Sequence, residues 1–74
     1  MADAGMGKDT GIINLNTATK AELLSLSGIG ESRAEAIIAY RETNGGFRKI
    51  EDLKKVDGIK EGIFQKIREQ ITVE

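Results

Sequence analysis

The sequence predicts an all-α fold: one compact domain of about four to five short helices, built from two copies of a single unit around a shared core. Three observations predict it. Shifting the chain by 30 residues lays LLSLSGIGESRAEAI over LKKVDGIKEGIFQKI. Leu23 then falls on Leu53, Leu26 on Val56, Gly28 on Gly58, Ile29 on Ile59, Glu31 on Glu61 and Ile37 on Ile67. Within each copy, apolar residues recur near helical spacing and lack the alternation of a strand. Helix start and stop signals bracket those stretches. Neither copy is large enough to bury its apolar face alone, so the two must share one core.

Taken in order, residues 1–11, MADAGMGKDTG, are small, polar and glycine-rich. They lack the cationic start and apolar centre of a signal segment, and read as a disordered lead or a cloning remnant ahead of a domain over 12–74. Ile12, Ile13 and Leu15 are an extended lead-in that packs on the core. Thr19-Lys-Ala-Glu22 has capping-box spacing and opens a helix of about two turns through Leu23, Leu24 and Leu26. A tight turn, Ser27 to Gly30, follows. From Glu31 to about Thr43 the apolar or small residues Ala34, Ile37, Ile38 and Tyr40 mark a second helix. Asn44-Gly45-Gly46 stops it, because both residue types accept the left-handed conformation of a helix C-terminus. A β-hairpin at Asn44-Gly45 is disfavoured by flanks without alternation. Copy one thus covers about 19–43 and copy two about 49–71. The second copy has a helix from about Ile50 to Val56, a turn at Asp57 to Lys60 and a helix from Glu61 to about Gln70. Ile71 and Val73 close the far end.

Composition excludes several functions. The chain has no cysteine and no histidine, which removes disulfides, thiolate metal sites and imidazole chemistry. Asp and Glu are dispersed, so no catalytic carboxylate pair emerges, and Ser and Thr have no histidine to activate them. Eleven basic against twelve acidic residues give a net charge of −1, which argues against nucleic-acid binding through a broad positive field. With two Phe, one Tyr and no Trp, base stacking is a poor main mode of binding. Tyr40, Phe47 and Phe64 read as core. No apolar run approaches the roughly 20 residues that span a bilayer. Gly28-x-Gly30 is not a dinucleotide fingerprint: no strand precedes it, and Arg33 fills the place of the third glycine.

What remains is the tight turn before each second helix. Its simplest reading is an interhelical corner. Its chemical reading is an anion site, since a helix N-terminus offers unpaired N–H groups and roughly +0.5 of charge. Glycine permits the turn and lets a phosphate approach the backbone. Amides are absent from a charge count, so a chain of net charge −1 can still bind a polyanion.

The pattern Leu26, Gly28, Ile29, Gly30 and Ala34 resembles the helix-hairpin-helix motif. Two such motifs form the compact, SAM-like tandem domain written (HhH)2. The flanks narrow this further: INLNTATKAELLSLSGIGESRAEAIIAYRETNGGF with IEDLKKVDGI is similar to the C-terminal DNA-binding domain of the ComEA-type competence proteins, over residues 12 to 74. The resemblance implies a non-enzymatic domain that grips phosphates of double-stranded DNA without reading sequence, with both hairpins across the minor groove. It also implies a membrane-anchored or secreted parent outside the cytoplasm, and other DNA-uptake proteins as partners. No membrane contact is expected of this segment itself.

Carried onto this chain, the first site comprises Gly28, Ile29 and Gly30, with Ser32 and Arg33 on the following turn, and Ile29 anchoring the hairpin in the core. Arg33 is placed to reach a phosphate beside its own hairpin. The second comprises Gly58, Ile59, Lys60, Gly62 and Lys66. Lys60 departs from the family's glycine, which weakens the expected amide contact there, although its ammonium offers an ionic one. Lys54, Lys55 and Lys66 are outer contacts, with Arg41 and Arg48 weaker candidates. No catalytic residue, resident metal or cofactor is expected. Some relatives allow a monovalent or divalent cation against the hairpin carbonyls. Two other readings stand beside this one: a DNA-targeting module of a repair or recombination enzyme, and a protein–protein interaction domain whose hairpins are only corners.

Overall fold

The computed structural model describes residues 12–73; the expected lead over 1–11 lies outside the described residues. The elements run β1 (Ile13–Asn14), α1 (Lys20–Leu24), α2 (Glu31–Asn44), a 3-10 helix (Ile50–Lys55), α3 (Glu61–Ile67), a 3-10 turn (Arg68–Gln70) and β2 (Ile71–Thr72). The fold is helical, as the repeat implies, with one small strand pair added.

Thr19 caps α1 as its spacing predicts. Its hydroxyl accepts the Glu22 amide at 3.2 Å, and the Glu22 carboxylate accepts the Thr19 amide at 2.9 Å. The helix is shorter than expected, because Ser25 and Leu26 tighten to bonds with the Glu22 and Leu23 carbonyls, both 3.1 Å. The Ser25 hydroxyl reinforces this by donating to the Glu22 carbonyl at 2.6 Å. Leu26 therefore leaves the helix yet stays buried.

Helix α2 runs one residue further than expected. The Asn44 side-chain amide donates back to the Tyr40 carbonyl at 3.0 Å, and Gly45 makes the left-handed cap at φ 76°. The Gly46 amide closes the end onto the Arg41 carbonyl at 2.8 Å.

Copy two begins with a 3-10 helix where copy one has α1. Lys49 stands at the position of Thr19 and supplies no side-chain cap. The Asp52 carboxylate instead accepts the Arg48 amide at 3.2 Å. Helix α3 likewise stops at Ile67 and tightens through Gln70.

The core uses the repeat positions. Leu23 and Leu53, Leu26 and Val56, Ile29 and Ile59, Ala34 and Phe64, and Ile37 and Ile67 are all buried. Phe47 is buried and stacks on half-buried Tyr40 with ring centroids 4.9 Å apart. Lys54 and Arg68 lie over the ring of buried Phe64 at 5.0 and 5.8 Å. The three aromatic side chains are thus packing groups.

The lead-in does more than pack. Residues Ile13 and Asn14 pair in parallel with Ile71 and Thr72, and the Leu15 amide extends the ladder to the Thr72 carbonyl at 2.9 Å. The following loop is tied to the body by side chains. The Asn16 side chain accepts the Phe47 amide at 2.6 Å and donates to the Phe47 carbonyl at 3.0 Å. Arg41 Nη1 donates to the Leu15 and Ala18 carbonyls, each at 2.9 Å.

Candidate nucleic-acid interface

The two hairpins follow one backbone path. Gly28 has φ 83° and Gly58 has φ 89°, a region that L side chains enter only under strain. The Ile29 and Ile59 amides close the turns onto the Leu26 and Val56 carbonyls, both at 3.1 Å. Their side chains are buried and fix each turn to the core, so only their backbones are available to a ligand.

Gly30 and Lys60 are the residues that cap α2 and α3. Both are extended, at φ −96°, ψ −171° and φ −120°, ψ −175°, and neither helix has a side-chain cap hydrogen bond. The first intrahelical bonds arrive with the Ala34 amide on Gly30 and the Phe64 amide on Lys60, at 2.9 and 3.0 Å. The amides of residues 31–33 and 61–63 therefore precede the helical ladder. Lys60 does not alter the turn, because neither capping position uses the left-handed region. A Cβ added at Gly30 meets nothing within 4 Å, so the fold gives no reason for glycine there.

The hairpins also touch each other, and they do so with the symmetry of the repeat. A Cβ at Gly28 would lie 3.6 and 3.7 Å from the Ile63 side chain, and one at Gly58 would lie 3.7 Å from Arg33. Arg33 and Ile63 occupy the same repeat position. Each unit thus lays the third residue of its second helix on the first hairpin glycine of the other. Arg33 completes its contact by donating from Nε to the Gly58 carbonyl at 2.8 Å. The sequence places Arg33 beside its own hairpin; the structure puts it on the opposite one.

The remaining cations divide clearly. Arg41 is half-buried, and its Nη1 is taken by the Leu15 and Ala18 carbonyls. Lys54 is held by Glu61 at 3.0 Å and by the Phe64 ring, and Lys55 lies 3.5 Å from Asp52. Ser32, Lys60, Gly62 and Lys66 are exposed near the start or on the surface of their helices. Arg48 is also exposed, but it lines an open hollow with Tyr40, Asn44 and Lys49 at the C-terminal end of α2. That end is about 21 Å along the helix from Gly30.

Acidic residues begin both helices. Glu31 is 3.4 Å from Lys20, which also binds Glu35 at 2.9 Å, and Glu61 is bridged by Lys54. Hydrogen bonds from Gln65 and Lys54 hold the Glu61 carboxyl below its ordinary pKa. These carboxylates favour their helix dipoles and oppose an external anion, while the lysines offset the second effect. The repeat marks Glu31 and Glu61, but nothing in it identifies Lys20 as a partner. Among the described residues, no group of three or more acidic side chains is arranged to hold a metal ion, and no helix is long and apolar enough to cross a membrane.

Two matched hairpins, each with a left-handed glycine, a buried apolar anchor and an uncapped helix start, define a tandem helix-hairpin-helix domain. The chain belongs to the helix-hairpin-helix family, whose motif model matches residues 8–72. It is 56% identical to ComE operon protein 1 of Bacillus subtilis (strain 168) over 72 residues, 97% of this chain and 34% of that protein. This bears out the ComEA-type resemblance of the sequence. It is 44% identical over 62 residues to the endonuclease/exonuclease/phosphatase family domain-containing protein 1 of Rattus norvegicus, 84% of this chain and 11% of that one. An uncharacterised protein of Haemophilus influenzae is 47% identical over 60 residues, 80% of this chain and 54% of its own length. The chain therefore spans only a part of each of these relatives.

Proposed function

We propose that this domain binds double-stranded DNA without reading its sequence, by presenting the amides that open α2 and α3 to backbone phosphates. The observation that carries the reading is the pairing of the hairpins: two closely similar backbone turns, in contact with each other, each ending in an uncapped helix start. Lys60 adds an ammonium at the second turn. Phosphate contacts position a protein and carry no base information, so unrelated duplexes bind alike. A single domain with few ionic contacts has non-specific affinity on the order of 10⁻⁴ to 10⁻⁶ M. The domain is a binding module with no catalytic step of its own. Similarity to ComE operon protein 1 supports a place in competence, with the domain acting outside the cytoplasm beside other DNA-uptake proteins. Similarity to the endonuclease/exonuclease/phosphatase relative favours a second reading, in which the same grip serves as the targeting module of a larger enzyme.

The test uses a residue the fold leaves open. Gly30→Asp places a carboxylate where it accepts the free amides of α2, as a helix cap does, and stabilises the helix by a few tenths of a kcal/mol. The same carboxylate blocks a phosphate. The expected outcome is a higher melting temperature with weakened duplex binding, while Thr43→Glu, at the other end of α2, leaves binding near parental. Parental affinity in Gly30→Asp would exclude the α2 amides as a phosphate site and overturn the two-hairpin grip.

A further inference from the structure

We infer that Arg33 is a positioning residue: it braces the second hairpin from the first unit and fixes the spacing between the two phosphate sites. The inference rests on the DNA-binding reading, and it assigns Arg33 a role other than phosphate ligand. Arg33 Nε donates to the Gly58 carbonyl at 2.8 Å, inside the turn that precedes α3. Its stem also packs on Gly58, with Cγ and Nε both 3.7 Å from the site of a Cβ. A longer Gly58 side chain would displace the guanidinium.

The reciprocal contact shows what the brace replaces. Ile63, the repeat equivalent of Arg33, packs on Gly28 through its branched carbons. One side of the junction carries the apolar contact of Ile63 and the other a charged donor on a backbone carbonyl. Apolar contact resists separation but tolerates sliding, whereas a hydrogen bond fixes direction as well as distance. Ile59 anchors the second hairpin in the core, and Arg33 adds the directional contact that sets its orientation relative to the first. Two anion sites held at one spacing favour the regular phosphate array of a duplex over a flexible single strand.

Three substitutions separate brace from ligand. Glutamine carries its amide nitrogen the same number of bonds from Cα as arginine carries Nε, so Arg33→Gln keeps the donor and loses the charge. Arg33→Met keeps the stem length and loses the donor. Arg33→Lys keeps the charge on a differently placed donor. Duplex and single-strand affinities are measured for all three over a range of salt, beside amide chemical shifts of residues 57–61 in the free protein. The brace predicts that Arg33→Gln stays near parental, while Arg33→Met loses up to about tenfold in duplex affinity, the net worth of one hydrogen bond. Its salt slope stays unchanged, its preference for duplex over single strand narrows, and the 57–61 amides shift.

Equal losses in Arg33→Gln and Arg33→Met, with Arg33→Lys spared and the salt slope reduced by about 0.9, would make Arg33 a phosphate ligand and overturn the brace. Parental behaviour and unshifted amides in Arg33→Met would overturn it as well. If the parent itself binds no duplex, the proposed function fails, and the amide shifts still decide whether Arg33 orders the second hairpin.

Discussion

Gly28, Gly30 and Gly58 look alike in a sequence and have different jobs in the molecule. Gly28 and Gly58 hold left-handed backbone, so replacing either with alanine costs about 1–2 kcal/mol before any clash is counted. A urea titration of Gly58→Ala should show a lowered midpoint. Arg33 and Arg41 read as surface donors, yet one reaches the opposite hairpin and the other two loop carbonyls. The position of an arginine gives its Cα, whereas its head group lies several bonds away and goes where carbonyls are left over. Asp52 lies under Glu22 in the 30-residue repeat, which does not mark it as the buried carboxylate it is. Burial alone raises its pKa, but the Arg48 amide and the Lys55 charge outweigh that and the net shift is downward. Its contribution to stability is therefore complete above the ordinary carboxylate value of about 4 and fades as pH falls through the lowered one. Melting temperatures from pH 7 to pH 3 should fall less steeply for Asp52→Asn than for the parent.

The two units differ as elements because of one cap. Thr19 and Glu22 form a full capping box and start an α-helix, whereas Lys49 supplies no side-chain cap, Asp52 accepts the Arg48 amide instead, and a 3-10 helix starts. Thr19→Ala should cost about 1 kcal/mol. Lys49→Thr should supply the missing hydroxyl, since residue 49 is already extended at φ −151°, ψ 159°. The expected gain, about 0.5–1 kcal/mol, raises the melting temperature by several degrees in a domain of this size and increases helical circular dichroism. Element existence was legible here because capping and apolar spacing are local. Element ends were less so: α1 and α3 stop early and α2 late, where side chains or tightened turns capture the last carbonyls.

At the scale of the whole molecule, the core closes through the two ends of the described residues. Leu15 is fully buried and its amide extends the β1–β2 pair. Leu15→Ala should cost about 2–5 kcal/mol, a large share of the stability of a small domain, and should lower the unfolding midpoint in urea without changing its slope. The parallel pairing was not legible, because Ile13 and Ile71 are 58 positions apart and each strand is only two residues long. Neither is long enough to show alternation. The sequence by itself determined the helical class, the two-copy plan, the shared core and the hairpins as the place to look. All of these depend on local propensity or on a repeat that can be read along one dimension. The tertiary structure decided how the copies meet: which hairpin Arg33 serves, that Ile63 answers it, and that two short ends form a clasp. Those contacts depend on the distances between units, which are set only when the common core has packed.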